Sequence, residues 1–260
     1  MPTLDTALAA LERLAPLAAA GDWDNVGLLL RGTRPVRTIG LCIDLTEPVL
    51  DELEAADVDL VVSYHPPIFK GLKRITGASG LERSVLRLVR GGRHLYAPHT
   101  ALDAARDGMA DWLAGALGSV TDLAPIEPTA HDPTVGAGRR GRLTAPQPLG
   151  ALLDGLRSTL GLAHVRVAGD LDRPRSTFAV CPGSGGSLFA GLPPTDLLVT
   201  GEWSHHDVLA AVDRGAAVVL TDHTNCERGF LPHLADRLSA ALPDVVVVRS
   251  RVDADPLRVV

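Results

Sequence analysis

Histidines recur where apolar runs of this chain end. His65 follows DLVVSY, His99 follows LYAP and His223 follows VVLTD, while His205 and His206 follow LLVTGEWS. In open α/β sheets, ligands bind at the carboxyl ends of the strands, because the strand ends and the following helix N-termini leave a crevice there. We therefore expect these imidazoles to lie at such an edge, where they can converge on a ligand.

Two of these histidines are followed by a carboxylate four residues later. His223 is paired in this way with Glu227 at an expected helix start, and His99 with Asp103 in PHTALDAA. Residues four apart on a helix share one face. An imidazole nitrogen and a carboxylate oxygen form the mixed donor set that zinc, iron, manganese or cobalt accepts. With His65 there are five candidate metal ligands, although a single His/Glu pair also fits a plain helix-end interaction.

Apolar runs that alternate with helical patterns predict the elements that position these residues. The runs at 36–43, 58–62, 94–97, 197–199 and 216–220 are mostly apolar on both faces. Such runs are typical of strands in a largely parallel sheet that is flanked by helices on both sides. The sequence therefore predicts an α/β fold.

The segment between about residues 124 and 177 has a different composition. It is richer in Pro, Gly and Arg, and it contains IEPTAHDPT, GAGRRGR and a predicted helix from Pro148 to Leu160. We expect residues 1–123 and 178–260 to form the α/β core that binds metal. Residues 124–177 are expected to form a smaller α+β middle lobe or a long excursion.

The composition is that of a globular protein with a mildly acidic balance. Of 260 residues, 46% are hydrophobic and 22% are charged, and 25 Lys and Arg against 31 Asp and Glu give a net charge of −6. This balance argues against nucleic-acid binding, which relies on basic surfaces. No apolar run reaches ~20 residues and the N-terminus lacks a basic leader, so we expect no membrane span and no signal peptide.

The three cysteines indicate the compartment. Cys42, Cys181 and Cys226 are widely spaced and form no CxxC motif. This pattern argues against a disulfide framework and against a thiolate metal site. We expect a reducing, cytoplasmic location.

Several long motifs resemble those of the Nif-three-like family, whose members are often labelled GTP cyclohydrolase I type 2 homologues. They are, in this order, SYHPPIFKGLKRIT, LYAPHTALDAARDGMADWLA, CPGSGGSL, TGEWSHHD and DHTNCERGFL. GDWDNVGLLL and IDLTEPVLDEL near the start match as well. The resemblance covers nearly the whole chain except the middle segment. It implies a two-lobed α/β protein with a dinuclear metal centre that commonly assembles as a ring-shaped hexamer.

The resemblance also implies a ligand set, carried over position by position. His65 and Asp103 would hold one divalent ion, His223 would hold a second, and Glu227 would bridge the two. His99 would line the same pocket. Two divalent ions per chain are therefore expected, with zinc, iron, manganese and cobalt all compatible with these donors.

The chain departs from the family pattern at Tyr64. Many relatives have two adjacent histidines where this chain has Tyr64 and His65. A neutral phenol, whose pKa is about 10, is a poor ligand unless a metal deprotonates it. We expect the second site to rest on His223, Glu227 and water, and to be weakly or partly occupied. Alternatively, Tyr64 donates a hydrogen bond to a metal-bound hydroxide or to the substrate.

The ligand set favours a metal-dependent hydrolase. Bound ions lower the pKa of a water and polarise the group that it attacks, while His99, His205 or His206 would transfer protons. The expected substrate is a nucleotide or another small phosphorylated or heterocyclic molecule. The family label suggests GTP, but the chain has no P-loop signature. The alternative is a non-catalytic metal-binding ring protein that acts in metal handling or partner binding.

Three smaller features each have two interpretations. CPGSGGS forms either a nest of backbone N–H groups for an anion or a tight turn that needs glycine. GAGRRGR either meets a substrate phosphate or places arginines on a solvated loop. Asp22 and Asp24, which flank Trp23, either reach the pocket or serve a turn.

Overall fold

The chain divides into two compact units in a computed structural model that describes residues 3–258. Unit 1 consists of Met1–Leu102 and Leu231–Val260, and unit 2 consists of Asp103–Phe230. The strands are β1 (Gly27–Leu30), β2 (Thr38–Cys42), β3 (Leu60–Ser63), β4 (His94–Ala97), β5 (Val120–Ala124), β6 (Glu127–Pro128), β7 (Gly136–Ala137), β8 (Arg139–Pro148), β9 (Arg166–Ala168), β10 (Pro174–Ser184), β11 (Leu197–Glu202), β12 (Ala217–Leu220) and β13 (Val246–Arg249).

The helices separate most of these strands. They are α1 (Leu4–Leu14), α2 (Glu47–Ala55), α3 (Gly80–Arg90), α4 (His99–Ala104), α5 (Met109–Gly115), α6 (Leu149–Leu160), α7 (Gly186–Phe189), α8 (His205–Asp213), α9 (Asn225–Arg228) and α10 (Leu231–Ala241). Within residues 3–258, none of them is both long enough and apolar enough to span a lipid bilayer.

Unit 1 is built on a largely parallel sheet. Its strand order over the described residues is β1-β4-β3-β2-β13, and each neighbouring pair is parallel except β1 with β4. β3 and β4 are buried along their whole length, which explains why their sequences are apolar on both faces. Leu50 and Leu53 of α2 and Leu88 of α3 pack on this sheet with Val61 and Leu95.

Unit 2 is built on a mixed sheet. Over the described residues its strand order is β5-β8-β10-β11-β12-β9. β11 runs parallel to both of its neighbours, β10 and β12, and the other neighbouring pairs are antiparallel. Leu113 of α5 and Leu152 and Leu156 of α6 cover one face of this sheet together with Phe178 and Val199. Both units therefore combine sheets with flanking helices, and the predicted α/β class is confirmed.

The division into units differs from the one expected from composition. β8 and the start of β10 lie in the segment 124–177 and pair with each other, and β10 also pairs with β11. Hydrogen bonding thus joins residues 124–177 to a sheet that also contains later strands. β10 runs across the expected boundary at residue 178, and residues 103–230 form one unit. The polar composition of the segment includes exposed residues of strands such as β8.

The motif GAGRRGR spans β7 and the start of β8, and its first arginine is buried. Arg139 is 1% exposed, its guanidinium forms an ion pair with Asp111, and Arg140 beside it is exposed. The Arg139 guanidinium also donates to the backbone carbonyls of Ala104, Ala105, Gly136 and Gly138. Buried cations need such partners. Arg139 is therefore a structural cation. The expectation that this motif places its arginines on a solvated loop does not hold for Arg139.

Candidate metal centre

His65 lies just beyond the carboxyl end of β3 in unit 1. Its Nδ1–H donates to Oδ1 of Asp44 over 2.9 Å. Asp44 follows β2, the parallel neighbour of β3, so the two residues emerge at the same edge of the sheet. A carboxylate on Nδ1 fixes the imidazole tautomer in which Nε2 carries the lone pair available to a metal.

His99 lies at the same edge of unit 1, at the start of α4. Its Nδ1–H donates to the carboxylate oxygens of Asp24 at 2.8 and 2.9 Å. The backbone φ of His99 is +27°, a strained value of the kind that clusters at functional sites. The ring centroid of His99 lies 5.3 Å from that of His65 and 5.5 Å from that of Tyr64, edge-on in both cases. The structure thus brings His65 and His99 together.

The carboxylate of Asp24 is held in place behind His99. Its side chain is fully buried and also accepts hydrogen bonds from the backbone N–H and the hydroxyl of Thr100. Burial opposes ionisation, but the hydrogen bonds from His99 and Thr100 and the attraction of His99 outweigh it and lower the pKa of Asp24. Asp24 was expected either to reach the pocket or to serve a turn, and the structure shows that it contacts His99.

His223 and Glu227 follow the carboxyl end of β12 in unit 2. Nε2 of His223 lies 3.8 Å from Oε1 of Glu227, and Glu227 is only 1% exposed. The Nδ1–H of His223 donates to Oε1 of Glu202, the last residue of β11, over 2.9 Å. This repeats in unit 2 the arrangement of Asp44 behind His65, and it again favours the tautomer with the lone pair on Nε2.

Two glycines allow the backbone to approach this pair. A Cβ on Gly183, whose φ is +61°, would lie 2.9 Å from Oε1 of Glu227 and 3.1 Å from Nε2 of His223. A Cβ on Gly201 would lie 2.8 Å from the Cα of His223. A side chain at either position would enter the space around these donor atoms. The bare backbone and the donor set together fit a bound cation.

The motif CPGSGGS behaves as a tight turn. The N–H of Gly183 donates to Sγ of Cys226 at 3.3 Å, and the N–H of Gly185 donates to the hydroxyl of Thr200 at 2.9 Å. Both donors are thus used within the chain, which favours the turn over the anion nest. Cys226 is fully buried behind the start of α9, and burial together with the charge of Glu227 raises the pKa of its thiol.

Asp103 belongs to α4 and begins unit 2. Apart from burial, its charge and that of Glu227 both raise the pKa of the buried thiols of Cys181 and Cys226. Both carboxylates therefore lie within electrostatic reach of the same two sulfur atoms. Asp103 therefore belongs to the same unit as His223 and Glu227.

His205 and His206 form the first turn of α8 and are both exposed. Their ring centroids are 5.5 Å apart. The helix start is capped by Ser204, whose hydroxyl accepts a hydrogen bond from the N–H of Asp207. Neither ring is packed into the interior, and both are open to solvent.

Asp44 and Glu202 were not predicted from the sequence. Each stands at the end of a strand whose parallel neighbour leads to the histidine that it holds, β2 beside β3 and β11 beside β12. The sequence does show a carboxylate near the end of each strand. Predicting which histidine it contacts also requires the order of strands in the sheet, which the spacing of residues along the chain does not give.

The comparisons with known proteins agree on one family. The family model described as Duf34/NIF3 (NGG1p interacting factor 3) matches residues 2–256. The chain is 41% identical over 254 residues to the protein NIF3 homolog of Schizosaccharomyces pombe, covering 92% of this chain and 91% of that protein. It is 29% identical over 255 residues to the GTP cyclohydrolase 1 type 2 homolog of Clostridium perfringens, covering 95% of each.

A solved structure shows the same fold. The crystal structure of the Bacillus cereus protein related to NIF3 matches with a TM-score of 0.85 at 21% identity. The match covers 100% of this chain and 99% of that one.

The contacts of Asp24 predict a pH-dependent contribution to stability. Asp24→Asn is expected to lower the free energy of unfolding by about 1.5–3 kcal/mol at pH 7, because it weakens charge-assisted hydrogen bonds to His99 and Thr100. The folded-state pKa of Asp24 lies below its ordinary value of 3.8. Its stabilisation is therefore complete above that value and is lost as the pH falls through the folded pKa.

Urea unfolding at pH 7, pH 5 and about pH 3 measures this difference between wild type and variant. The control is Asp22→Asn, which changes an exposed aspartate two residues away and is expected to stay within about 0.5 kcal/mol of wild type. A deficit of Asp24→Asn that is the same at all three pH values would contradict the prediction.

Proposed function

Since the chain belongs to the DUF34/NIF3 family, we propose that it is a metal-dependent hydrolase of a nucleotide or another small phosphorylated or heterocyclic molecule. The observation that carries the proposal is a pair of partly buried imidazoles, each held from behind by a carboxylate. Asp44 holds His65, and Glu202 holds His223. Metal-binding histidines in proteins almost always have such a partner on the second ring nitrogen, because it orients the ring and raises its basicity.

We propose His65, Asp103, His223 and Glu227 as the metal ligands. Imidazole and carboxylate donors suit zinc, iron, manganese and cobalt. Ions bound by this set would supply an acidified water and would polarise the bond that is broken.

His99 is the residue that we assign to proton transfer. Its Nδ1 proton is held by Asp24, so Nε2 is the position that accepts and returns a proton. The buried carboxylate of Asp24 stabilises the imidazolium that forms when Nε2 is protonated. His205 and His206 are second candidates, because both side chains are exposed at the start of α8.

The name of the Clostridium perfringens relative makes GTP the first substrate to test. We also propose that the chain forms a homo-oligomer, namely a hexamer, and that it is located in the cytoplasm. The buried thiols of Cys42, Cys181 and Cys226 suit a reducing compartment.

Partner binding is the second candidate function. The family description, NGG1p interacting factor 3, names an interaction and no reaction. In this case the ions would serve metal handling or would stabilise a binding surface. The two candidates differ in turnover, since a carrier transfers its metal to a chelator without hydrolysing any substrate.

The hydrolase proposal predicts loss of activity in two ligand variants. His65→Ala and Glu227→Gln are expected to reduce hydrolysis of GTP, or of whichever member of a nucleotide and phosphoester panel is turned over, by at least about 100-fold. Asp213→Asn, which changes an exposed carboxylate at the end of α8, is the control and should retain full activity. Circular dichroism verifies folding. Wild-type rates in both ligand variants would refute the proposed site.

The carboxylate behind His223 predicts a graded effect on metal affinity. Glu202→Gln keeps the size of the side chain but removes its charge, so metal is expected to bind about 10- to 100-fold more weakly. Isothermal titration with zinc, after treatment with EDTA, measures the affinity, again with Asp213→Asn as the control. An unchanged affinity in Glu202→Gln would show that Glu202 does not support a metal ligand.

Tyr64 predicts unequal metal sites. The phenol is buried beside His65, with ring centroids 4.9 Å apart, and a neutral phenol is a poor ligand. EDTA treatment followed by metal back-titration is expected to show one tight and one weaker equivalent per chain, and Tyr64→His is expected to tighten the weaker one. Two equally tight equivalents in the wild type would refute the idea of a weakened site.

A further inference from the structure

We propose that Trp23 and Phe69 form an aromatic platform that binds the planar ring of the substrate. The inference rests on the proposed function and deepens it by naming the substrate class, a planar aromatic heterocycle such as a nucleobase. Both residues belong to unit 1, on loops beside the sheet edge that carries His65 and His99.

The first observation is the exposure of two aromatic rings in a chain that has few. The chain contains 3 Trp, 2 Tyr and 4 Phe. Its tyrosines and its other phenylalanines are at most 2% exposed, whereas Trp23 is 68% and Phe69 is 44% exposed. Leaving large apolar rings in water forgoes the stabilisation that burial provides. Their exposure therefore points to a ligand that covers them.

The second observation is the continuity of these rings with the candidate site. The ring centroids of Trp23 and Phe69 are 6.1 Å apart, with planes inclined by 56°. The indole also meets the ring of His99 edge-on, at a centroid distance of 6.2 Å. The ring centroid of His99 in turn lies 5.3 Å from that of His65. A ring resting on Trp23 and Phe69 is thus adjacent to the imidazole that we assign to proton transfer.

The indole of Trp23 is supported from behind by a glycine. A Cβ on Gly21 would lie 2.9 Å from Nε1 and 3.0 Å from Cε2 of the indole, so the ring rests on bare backbone. The N–H of Gly21 donates to the hydroxyl of Thr100 over 3.0 Å. One side of the indole is therefore backed, and most of the remaining ring is open to solvent.

The two loops that carry the platform are tied together. The side-chain amide of Asn25 donates to the carbonyl of Ile68 over 2.5 Å, which joins the loop of Trp23 to that of Phe69. Asp24, between Trp23 and Asn25, is anchored to His99. Because these contacts order the loops before a ligand arrives, binding requires little additional ordering.

The size of the platform favours a small molecule over a protein partner. A stable protein interface buries roughly 800 Å² on each side, which two side chains do not provide. Stacking on an indole face, in contrast, needs only a planar π system and tolerates different bases. The occupant that we infer is the heterocycle of the substrate.

Equilibrium binding of guanosine, with ribose as the ligand that lacks the ring, tests the platform on the protein as purified. Guanosine is expected to bind and to quench tryptophan emission, and ribose is not. Trp23→Ala should lose most of the quenching and bind guanosine about 5- to 150-fold more weakly by calorimetry, as expected for loss of one stacking partner. Phe69→Ala should weaken binding in the same direction, and Trp23→Phe should retain most of the affinity.

Leu171→Ala is the matched control, because it truncates a comparably exposed apolar side chain in unit 2 and should leave the guanosine affinity unchanged. Wild-type affinity in Trp23→Ala would overturn the platform, and so would failure of the wild-type protein to bind guanosine. An altered sedimentation coefficient in Trp23→Ala with unchanged guanosine affinity would also overturn it, and would assign the rings to a contact between subunits.

The titrations separate this inference from the proposed function, since they need no turnover. Guanosine binding that depends on Trp23, in a protein that hydrolyses nothing, would support the platform while the hydrolase proposal fails. GTP hydrolysis with the same KM in wild type and Trp23→Ala would overturn the platform while the hydrolase proposal stands.

Discussion

A carboxylate that accepts the Nδ1 proton of an imidazole is the interaction on which the candidate site depends. It occurs at Asp44 with His65, Asp24 with His99, and Glu202 with His223, at separations of 2.8 to 2.9 Å. Each pair fixes the tautomer and the orientation of the ring. Without it an imidazole would distribute its proton between two nitrogens and rotate among rotamers, and no donor geometry would be defined.

In both units, a pair of adjacent parallel strands brings the carboxylate and the histidine together. Two parallel strands lie side by side, one ending near the carboxylate and the other leading to the histidine, as with β2 beside β3 and β11 beside β12. Parallel strands end at the same edge, so residues far apart in the chain meet there. Three edge strands, β1, β5 and β9, run antiparallel to their neighbours and lie outside these pairs. The central parallel strands are thus the elements that position the site.

Glycine and buried charge complete the arrangement in unit 2. Gly183 and Gly201 let backbone approach His223 and Glu227 more closely than any side chain would permit. Glu227 is almost fully buried, and a buried carboxylate must be compensated by nearby cationic or donor groups. The unit therefore holds a buried carboxylate close to a partly exposed imidazole.

Local patterns in the sequence were sufficient for the α/β class, for the positions of His65, His99 and His223 after buried strands, and for the helix predicted from Pro148 to Leu160 and found at Leu149–Leu160. These features can be predicted because residues that are close in the chain determine both the apolar pattern of a buried strand and the four-residue spacing on a helix. The extent of the units, the burial of Arg139, the carboxylate behind each histidine and the exposure of Trp23 were decided by tertiary structure. They depend on which strands become neighbours and which surfaces pack, and those outcomes arise from contacts between residues that are distant in the chain.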